Sequence, residues 1–210
     1  ALSDISLSFE SGKVYYIVGM VRSGKSALIQ AVAGELHATE GAFSRNYSSL
    51  AYAAQNPWIM NGSIRENIVM GRSFQQGWYD KVVDVCGLQL DLSQIANGDE
   101  TTVGDRGIQI SGGQRARIGL ARAFYGDPQV LLLDDPLSAV DSTLARSIYQ
   151  EAIQELGIKQ GKCIIMATHQ NQFLGHGDQC IVLDKGKMLS CGRFESTDSS
   201  SLPTAMQAEG

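Results

Sequence analysis

The residues Gly19-Met20-Val21-Arg22-Ser23-Gly24-Lys25-Ser26 satisfy the pattern Gly-x-x-x-x-Gly-Lys-Ser/Thr. The chemistry of that pattern is phosphate binding. Its glycines let backbone N–H groups close around phosphate oxygens, its lysine reaches the β and γ phosphates, and its terminal hydroxyl ligates Mg²⁺. Lys25 and Ser26 hold those two places here. Far downstream, Ile110-Ser111-Gly112-Gly113-Gln114 precedes a helix-like stretch from Arg115. A Ser-Gly-Gly turn at a helix start offers unhindered N–H groups and a positive dipole end, a second means of holding phosphate. The apolar run Val130-Leu131-Leu132-Leu133 ends in Asp134-Asp135. Ligands gather at the C-terminal ends of buried parallel strands. Asp134 is placed to hold Mg²⁺ through water, and Asp135 to act as base for an attacking water. The alternative is that both acids only close a turn before Pro136.

Two single residues gain meaning from this setting. Gln55 ends a short strand and can contact Mg²⁺ or the lytic water; alone, a Gln there is ordinary surface. His169 follows an apolar strand and Thr168; it is either a satisfied core residue or a contact to a γ-phosphate. Arg22 is the oddity of the loop. Many phosphate loops carry Gly at this place, and an Arg side chain must point outward, toward solvent, nucleotide or a partner. His37 and His176 have no such context and read as surface.

The elements that must position these groups follow from local pattern. Residues 13–18 form an apolar run ending at Gly19, a buried strand feeding a glycine turn, and 26–33 have helical composition stopping at Gly34. Residues 50–54 are another short strand. The stretch 56–110 is polar and glycine-punctuated, with helical pieces at 63–68, 73–86 and 90–96. Ser63 caps the first, with Glu66 three residues on as a capping box. Then come the strand Val130–Asp134, an amphipathic helix over 142–156, the strand Cys163–Ala167, and a hairpin of 179–184 and 187–191 turning at Lys185-Gly186.

Strands alternating with helices predict an α/β fold with a parallel sheet covered on both faces. The organisation expected is a core over 1–55 and 111–195, a helical insertion over 56–110, and a Ser-rich, disordered tail over 196–210.

Composition narrows the class. A net charge of −5 on 210 residues, with no basic stretch alternating with aromatics, disfavours a nucleic-acid partner. No apolar run reaches transmembrane length, so any membrane role must run through a partner or another part of the polypeptide. Cys86, Cys163, Cys180 and Cys191 form no Cys-x-x-Cys pair and no metal spacing, as expected of reduced thiols in a cytosolic setting. The chain starts within a strand pattern and reads as a piece of something longer.

The phosphate loop, Gln55, residues 110–114, Asp134-Asp135, Ser138-Ala139-Val140-Asp141 and His169 occur in the order of an ATP-binding cassette domain. The resemblance covers nearly the whole chain. The segment Ala54-Gln55-Asn56-Pro57-Trp58-Ile59-Met60-Asn61-Gly62-Ser63-Ile64-Arg65-Glu66-Asn67-Ile68 resembles subfamily C, the multidrug-resistance-associated type. Residues 134–141 look like the first of its two nucleotide-binding domains.

The resemblance implies a RecA-like P-loop NTPase core with an inserted α-helical subdomain, and ATP with Mg²⁺ as cofactors. It implies a second nucleotide-binding domain facing this one head to tail. The loop residues Gly19, Arg22, Ser23, Gly24, Lys25 and Ser26 would hold this domain's nucleotide. Ser111, Gly112, Gly113 and Gln114 would touch the nucleotide of the partner domain, and Asp141 would link the two sites. Ser26, Gln55 and Asp134 would serve the metal; Asp135, His169 and Gln55 would serve hydrolysis. The face near Gln55 and Trp58 would meet transmembrane domains, placing the domain on the cytoplasmic side of a membrane.

The function implied is the ATPase domain of an exporter, or alternatively a nucleotide-sensing domain of a subfamily C channel or receptor. Three departures matter. Asp135 stands where most members have Glu; first domains of subfamily C typically have this Asp and turn ATP over poorly. Arg22 replaces a glycine. The aromatic that stacks on adenine is expected upstream of residue 1. Ile110 for the usual Leu is a minor, volume-conserving change.

Overall fold

The computed structural model describes residues 2–104, 107–175 and 179–193. The expected tail over 196–210 and His176 lie outside the described residues.

A six-stranded sheet carries the core. In chain order its strands are β1 (Val14–Val18), β2 (Leu50–Ala53), β5 (Val130–Asp134), β6 (Cys163–Ala167), β7 (Gln179–Asp184) and β8 (Lys187–Arg193). In space the order is β2-β5-β6-β1-β7-β8; the first five are parallel and β8 returns antiparallel to β7. Strands β1, β5 and β6 are buried along their whole length, which is why their sequences are continuous apolar runs rather than alternating ones.

The pleat sorts these runs onto two faces. Tyr16, Leu131, Leu133, Ile164, Met166 and Val182 face one apolar cluster. Their neighbours Tyr15, Ile17, Leu132, Ile165, Ile181 and Leu183 face the other. Helix α1 (Lys25–Ala33) covers the second face with Leu28, Ile29 and Val32.

Between β2 and α5 (Gly112–Tyr125) the chain runs through a short antiparallel pair, β3 (Gly62–Ser63) and β4 (Thr102–Val103). Three short helices occupy the same segment: α2 (Ile64–Val69), α3 (Gln76–Val85) and α4 (Gln89–Gln94). Buried residues of α2, α3 and α5, including Ile68, Val82, Ile118 and Phe124, belong to the same cluster as the first sheet face. Each such side chain contributes about 1.5–3 kcal/mol by leaving water. The Ser63 capping box forms as expected: Glu66 N–H donates to Ser63 Oγ at 3.0 Å and Ser63 N–H to Glu66 Oε2 at 2.7 Å.

Several boundaries differ from expectation; β2 ends at Ala53, so Gln55 lies just past the strand, and α4 ends at Gln94 rather than at 96. Helix α3 begins at Gln76, not at 73. The Tyr125 hydroxyl accepts from Gln75 N–H and donates to the Ser73 carbonyl, which occupies backbone groups that a longer helix would use. The helix expected over 142–156 is α-helical only over Ser142–Ile148 (α6) and continues with π-type hydrogen bonding over Tyr149–Gly157. The widened turn accompanies Tyr149, whose hydroxyl meets that of Tyr16 on β1 and accepts from Gln154, while its ring stacks on Phe173. Strand β8 extends to Arg193. The turn before it has Lys185 at φ 47° and Gly186 at φ 83°. Two successive positive φ values belong to the tight hairpin that right-twisted strands favour.

Candidate functional site

The phosphate loop joins the end of β1 to α1, and its conformation explains its glycines. Gly19 has φ 151°, and a Cβ there would lie 2.2 Å from the Leu183 carbonyl oxygen and 2.6 Å from Ser23 Oγ. Gly24, at φ 108°, forms the N-terminal boundary of α1, which has no side-chain cap. The first N–H groups of α1 are thus free of any capping side chain. Arg22 adopts φ 68° and is exposed, and a non-glycine residue in that region is strained by about 1–2 kcal/mol.

Lys25 is buried within the loop it serves. Its ammonium donates to the carbonyls of Gly19 at 2.6 Å and Met20 at 2.9 Å. Burial lowers its pKa, partly offset by the carboxylates of Asp135 and Asp134. Ser23 is buried and its Oγ has no hydrogen-bond partner. The loop is braced from the far hairpin: Gly186 N–H donates to the Ser23 carbonyl at 2.7 Å, and Ser3 N–H to the Gly186 carbonyl at 2.9 Å.

The acidic strand end lies beside it. Asp134 closes β5 and is buried, with Oδ2 accepting a long 3.4 Å hydrogen bond from the Tyr52 hydroxyl. Burial, then the charge of Asp134, pushes the Tyr52 phenol up to about 12.

Asp135 is also buried and has φ 50°, a region Asp tolerates better than most residues. Its N–H donates to the Ala167 carbonyl at 2.9 Å, and the Gln55 amide contacts its Oδ2 at 3.5 Å. Burial raises the Asp135 carboxyl above the usual carboxylate range. The His169 charge and backbone N–H pull it back, Asp134 adds to the rise, and Lys25 opposes it. Gln55, Asp134, Asp135, His169 and Lys25 therefore form one group at the C-terminal ends of β1, β2, β5 and β6. Ser26 is exposed in the first turn of α1.

Residues 111–114 form a second constellation. Ser111 caps α5 in a full capping box: its Oγ accepts from Gln114 N–H at 3.1 Å, and its N–H donates to Gln114 Oε1 at 2.9 Å. The Gln114 amide then donates to Asp91 Oδ1 on α4 at 2.8 Å. Arg117, one turn on, donates to the Gly113 carbonyl at 3.2 Å, to the Gly87 carbonyl, and to both oxygens of Asp91. Burial acts to raise the Asp91 carboxyl, but Arg117 and Gln114 outweigh it and hold the group below the usual range. Gly113 packs so closely on the loop 138–141 that a Cβ would lie 2.8 Å from the Ala139 carbonyl oxygen; Gly112 faces open space. Asp141 is exposed and caps α6, accepting from Leu144 N–H at 3.0 Å.

Sequence reasoning did not identify Tyr52, Gly186, Asp91 or Arg117. The signal for Tyr52 was available, since it lies on β2, the strand that leads into Gln55. Gly186 was legible only as a hairpin turn and Asp91 carries no local signal, because the partners of both lie far away in the chain.

The residues present fit a magnesium–nucleotide. A buried hydroxyl without a partner, an uncapped helix start and a buried lysine beside them are groups suited to an anion close to the backbone. Among the described residues no group of three or more His, Cys, Asp or Glu could hold a metal. Mg²⁺ is bound by one or two protein oxygens together with substrate phosphates and water, and Ser26 and Asp134 are the residues here whose oxygens could serve it. No helix among the described residues is long and apolar enough to cross a membrane.

Comparison with known proteins agrees with this reading. Residues 2–138 match the family model described as ABC transporter. The chain is 43% identical over 194 residues to the ABC-type transporter cicA of Emericella nidulans, covering 92% of this chain and 14% of that protein. It is 41% identical over 193 residues to ATP-binding cassette sub-family C member 4 of Homo sapiens, covering 92% and 14%. It is 39% identical over 195 residues to the metal resistance protein YCF1 of Saccharomyces cerevisiae, covering 93% and 13%. The chain therefore spans only about a seventh of the curated relatives it matches. With the phosphate loop, the acidic strand end and the Ser-Gly-Gly turn all in place, the chain belongs to the ABC transporter family and resembles its subfamily C, the multidrug-resistance-associated type.

Proposed function

We propose that this chain is the ATP-binding domain of a subfamily C exporter, acting at the cytoplasmic face of a membrane. Its own Mg-ATP site is completed by a second nucleotide-binding domain and hydrolyses slowly. The observation that carries the reading is the division of the phosphate-binding parts into two groups. The hydrogen bonds and close contacts of residues 111–114 run to Asp91, Arg117 and Ala139, and none among the described residues runs to the loop 19–26. A phosphate-binding turn held apart from its own loop is understandable if it serves a nucleotide carried by another domain.

Bound Mg-ATP supplies the γ-phosphoryl electrophile and a divalent cation that neutralises charge developing on it. This chain's residues do the rest. The N–H groups at the start of α1 and the Lys25 ammonium hold phosphate oxygens, and Lys25 exchanges its two carbonyl partners for them. Ser26 and Asp134 hold the metal, with Tyr52 steadying one oxygen of Asp134. Asp135 is the group placed to accept a proton from water, and Gln55 and the His169 N–H orient its carboxylate. Its short side chain limits it: Asp is one methylene shorter than Glu, and a displacement near 1 Å costs roughly 100-fold in rate. The transmembrane domains of the same transporter are the expected partners of the face around Trp58, which is 61% exposed.

The chain alone should bind Mg-ATP with negligible turnover, and turnover should appear when a second nucleotide-binding domain completes the site. Robust hydrolysis by the monomer at concentrations where no association is detectable would overturn the composite site.

A further inference from the structure

Helix α4 buries none of its own residues, yet it supplies the carboxylate on which the Ser-Gly-Gly turn is hung. Asp91 receives the Gln114 amide on Oδ1 at 2.8 Å, and Arg117 on both oxygens. The ion pair is largely withdrawn from water, with Arg117 9% and Asp91 20% exposed. Such a pair holds its geometry far better than the exposed ion pairs elsewhere on the chain. Gln114 in turn receives the Ser111 N–H, and Arg117 receives its position from the Gly113 and Gly87 carbonyls. Ser111, Gly113, Gln114 and Arg117 are thereby tied, directly or through one residue, to a single carboxylate in the helical insertion.

We propose that Asp91 is a positioning residue for the partner domain's nucleotide: by gripping Gln114 and Arg117 from α4, it fixes the backbone of residues 111–113 in the conformation that receives phosphate from across the interface. The inference rests on the composite-site reading. It assigns Gln114 a different emphasis from that of a direct ligand. Its amide is spent on the turn and on Asp91, which leaves the first N–H groups of α5, at Gly112 and Gly113, and the proton of the Ser111 hydroxyl as the groups for phosphate. It also makes the helical insertion and the turn one mechanical piece, so that displacement of α4 displaces the phosphate-binding groups with it.

Two measurements on the 210-residue chain test this, using Asp91→Ala and Asp91→Asn. Asparagine keeps an oxygen to accept from the Gln114 amide but removes the charge facing Arg117. In Asp91→Ala, hydrogen exchange of the Ser111, Gln114 and Arg115 amides should accelerate about tenfold, since a hydrogen bond to a charged group is lost, while β5 amides keep their protection. Asp91→Asn should recover most of the protection at Ser111 and Gln114. In the second measurement, sedimentation with Mg-ATP should show wild-type chains associating through their paired loops and turns. Asp91→Ala should weaken that association about tenfold while retaining Mg-ATP affinity at its own phosphate loop, which Asp91 does not touch.

Unchanged exchange at the turn, or acceleration spread equally through β5, would overturn the proposal. So would wild-type association in Asp91→Ala. If wild-type chains show no Mg-ATP-driven association, the composite reading fails for this pair of copies, and the exchange measurement alone decides whether Asp91 holds the turn.

Discussion

Replacing Gly112 and Gly113 with alanine, one at a time, separates what the fold needs from what the ligand needs. Neither glycine adopts a φ that forbids a side chain. Each replacement therefore gains the same general benefit, about 0.5–1 kcal/mol, from a less flexible unfolded chain and a better helix former. They differ in space. At Gly112 an added Cβ meets nothing within 4 Å, whereas at Gly113 it lies 2.8 Å from the Ala139 carbonyl oxygen, and backbone must shift. Forcing atoms into a packed site costs about 1–3 kcal/mol. The common benefit cancels in the comparison, so Gly113→Ala should be less stable than Gly112→Ala by about 1–3 kcal/mol. For a chain of this length each kcal/mol moves the midpoint by about 2–4 °C, which thermal unfolding followed by circular dichroism resolves. Gly112→Ala should unfold at or above the wild-type temperature and still lose Mg-ATP-driven association, because its methyl occupies the space a phosphate approaches. Equal midpoints for the two variants, or Gly112→Ala as the less stable one, would refute the reasoning.

Arg22→Gly should stabilise the nucleotide-free chain by about 0.5–1 kcal/mol, the strain of a positive φ less the flexibility glycine adds to the unfolded state; urea unfolding measures it, and a loss of stability would mean that Arg22 makes a compensating contact. Asp135→Asn should be more stable than wild type at neutral pH. The folded carboxyl is raised by burial, so its contribution is fully present below the unfolded value, near 3.9, and is lost as pH rises through the higher folded value. The gap between Asn and Asp should therefore open with rising pH and close below about pH 4. A gap independent of pH would show that Asp135 is not strained by its charge.

Much of the site is written locally in the chain. Val130–Asp134 and Cys163–Ala167 were legible to the residue because strands buried on both faces are continuous apolar runs bounded by turn residues. The phosphate loop was legible because its chemistry needs glycines at fixed offsets, and the Ser63–Glu66 box because a cap is a contact over three residues. What escaped depends on distant partners. The late start of α3 is set by Tyr125, 50 residues beyond Gln75. The Asp91–Gln114 bond joins residues 23 apart on different helices, and Gly186 braces Ser23 from a hairpin that neighbours β1 in the sheet but is distant in the chain. The π-type turns after Ile148 likewise surround a tyrosine whose partners, Tyr16 and Phe173, lie on other elements. None of these leaves a period or a motif in its own segment.

The most direct measurement is calorimetric titration of the chain with Mg-ATP, wild type against Lys25→Ala, with circular dichroism confirming that the variant is folded. Lys25 is held by two carbonyls of its own loop and is the cation available to exchange them for phosphate. Saturable binding to wild type, weakened at least about tenfold in a folded Lys25→Ala, is the expected result. Equal affinity in the two proteins would place the nucleotide elsewhere and contradict the assignment of residues 19–26 as its cradle.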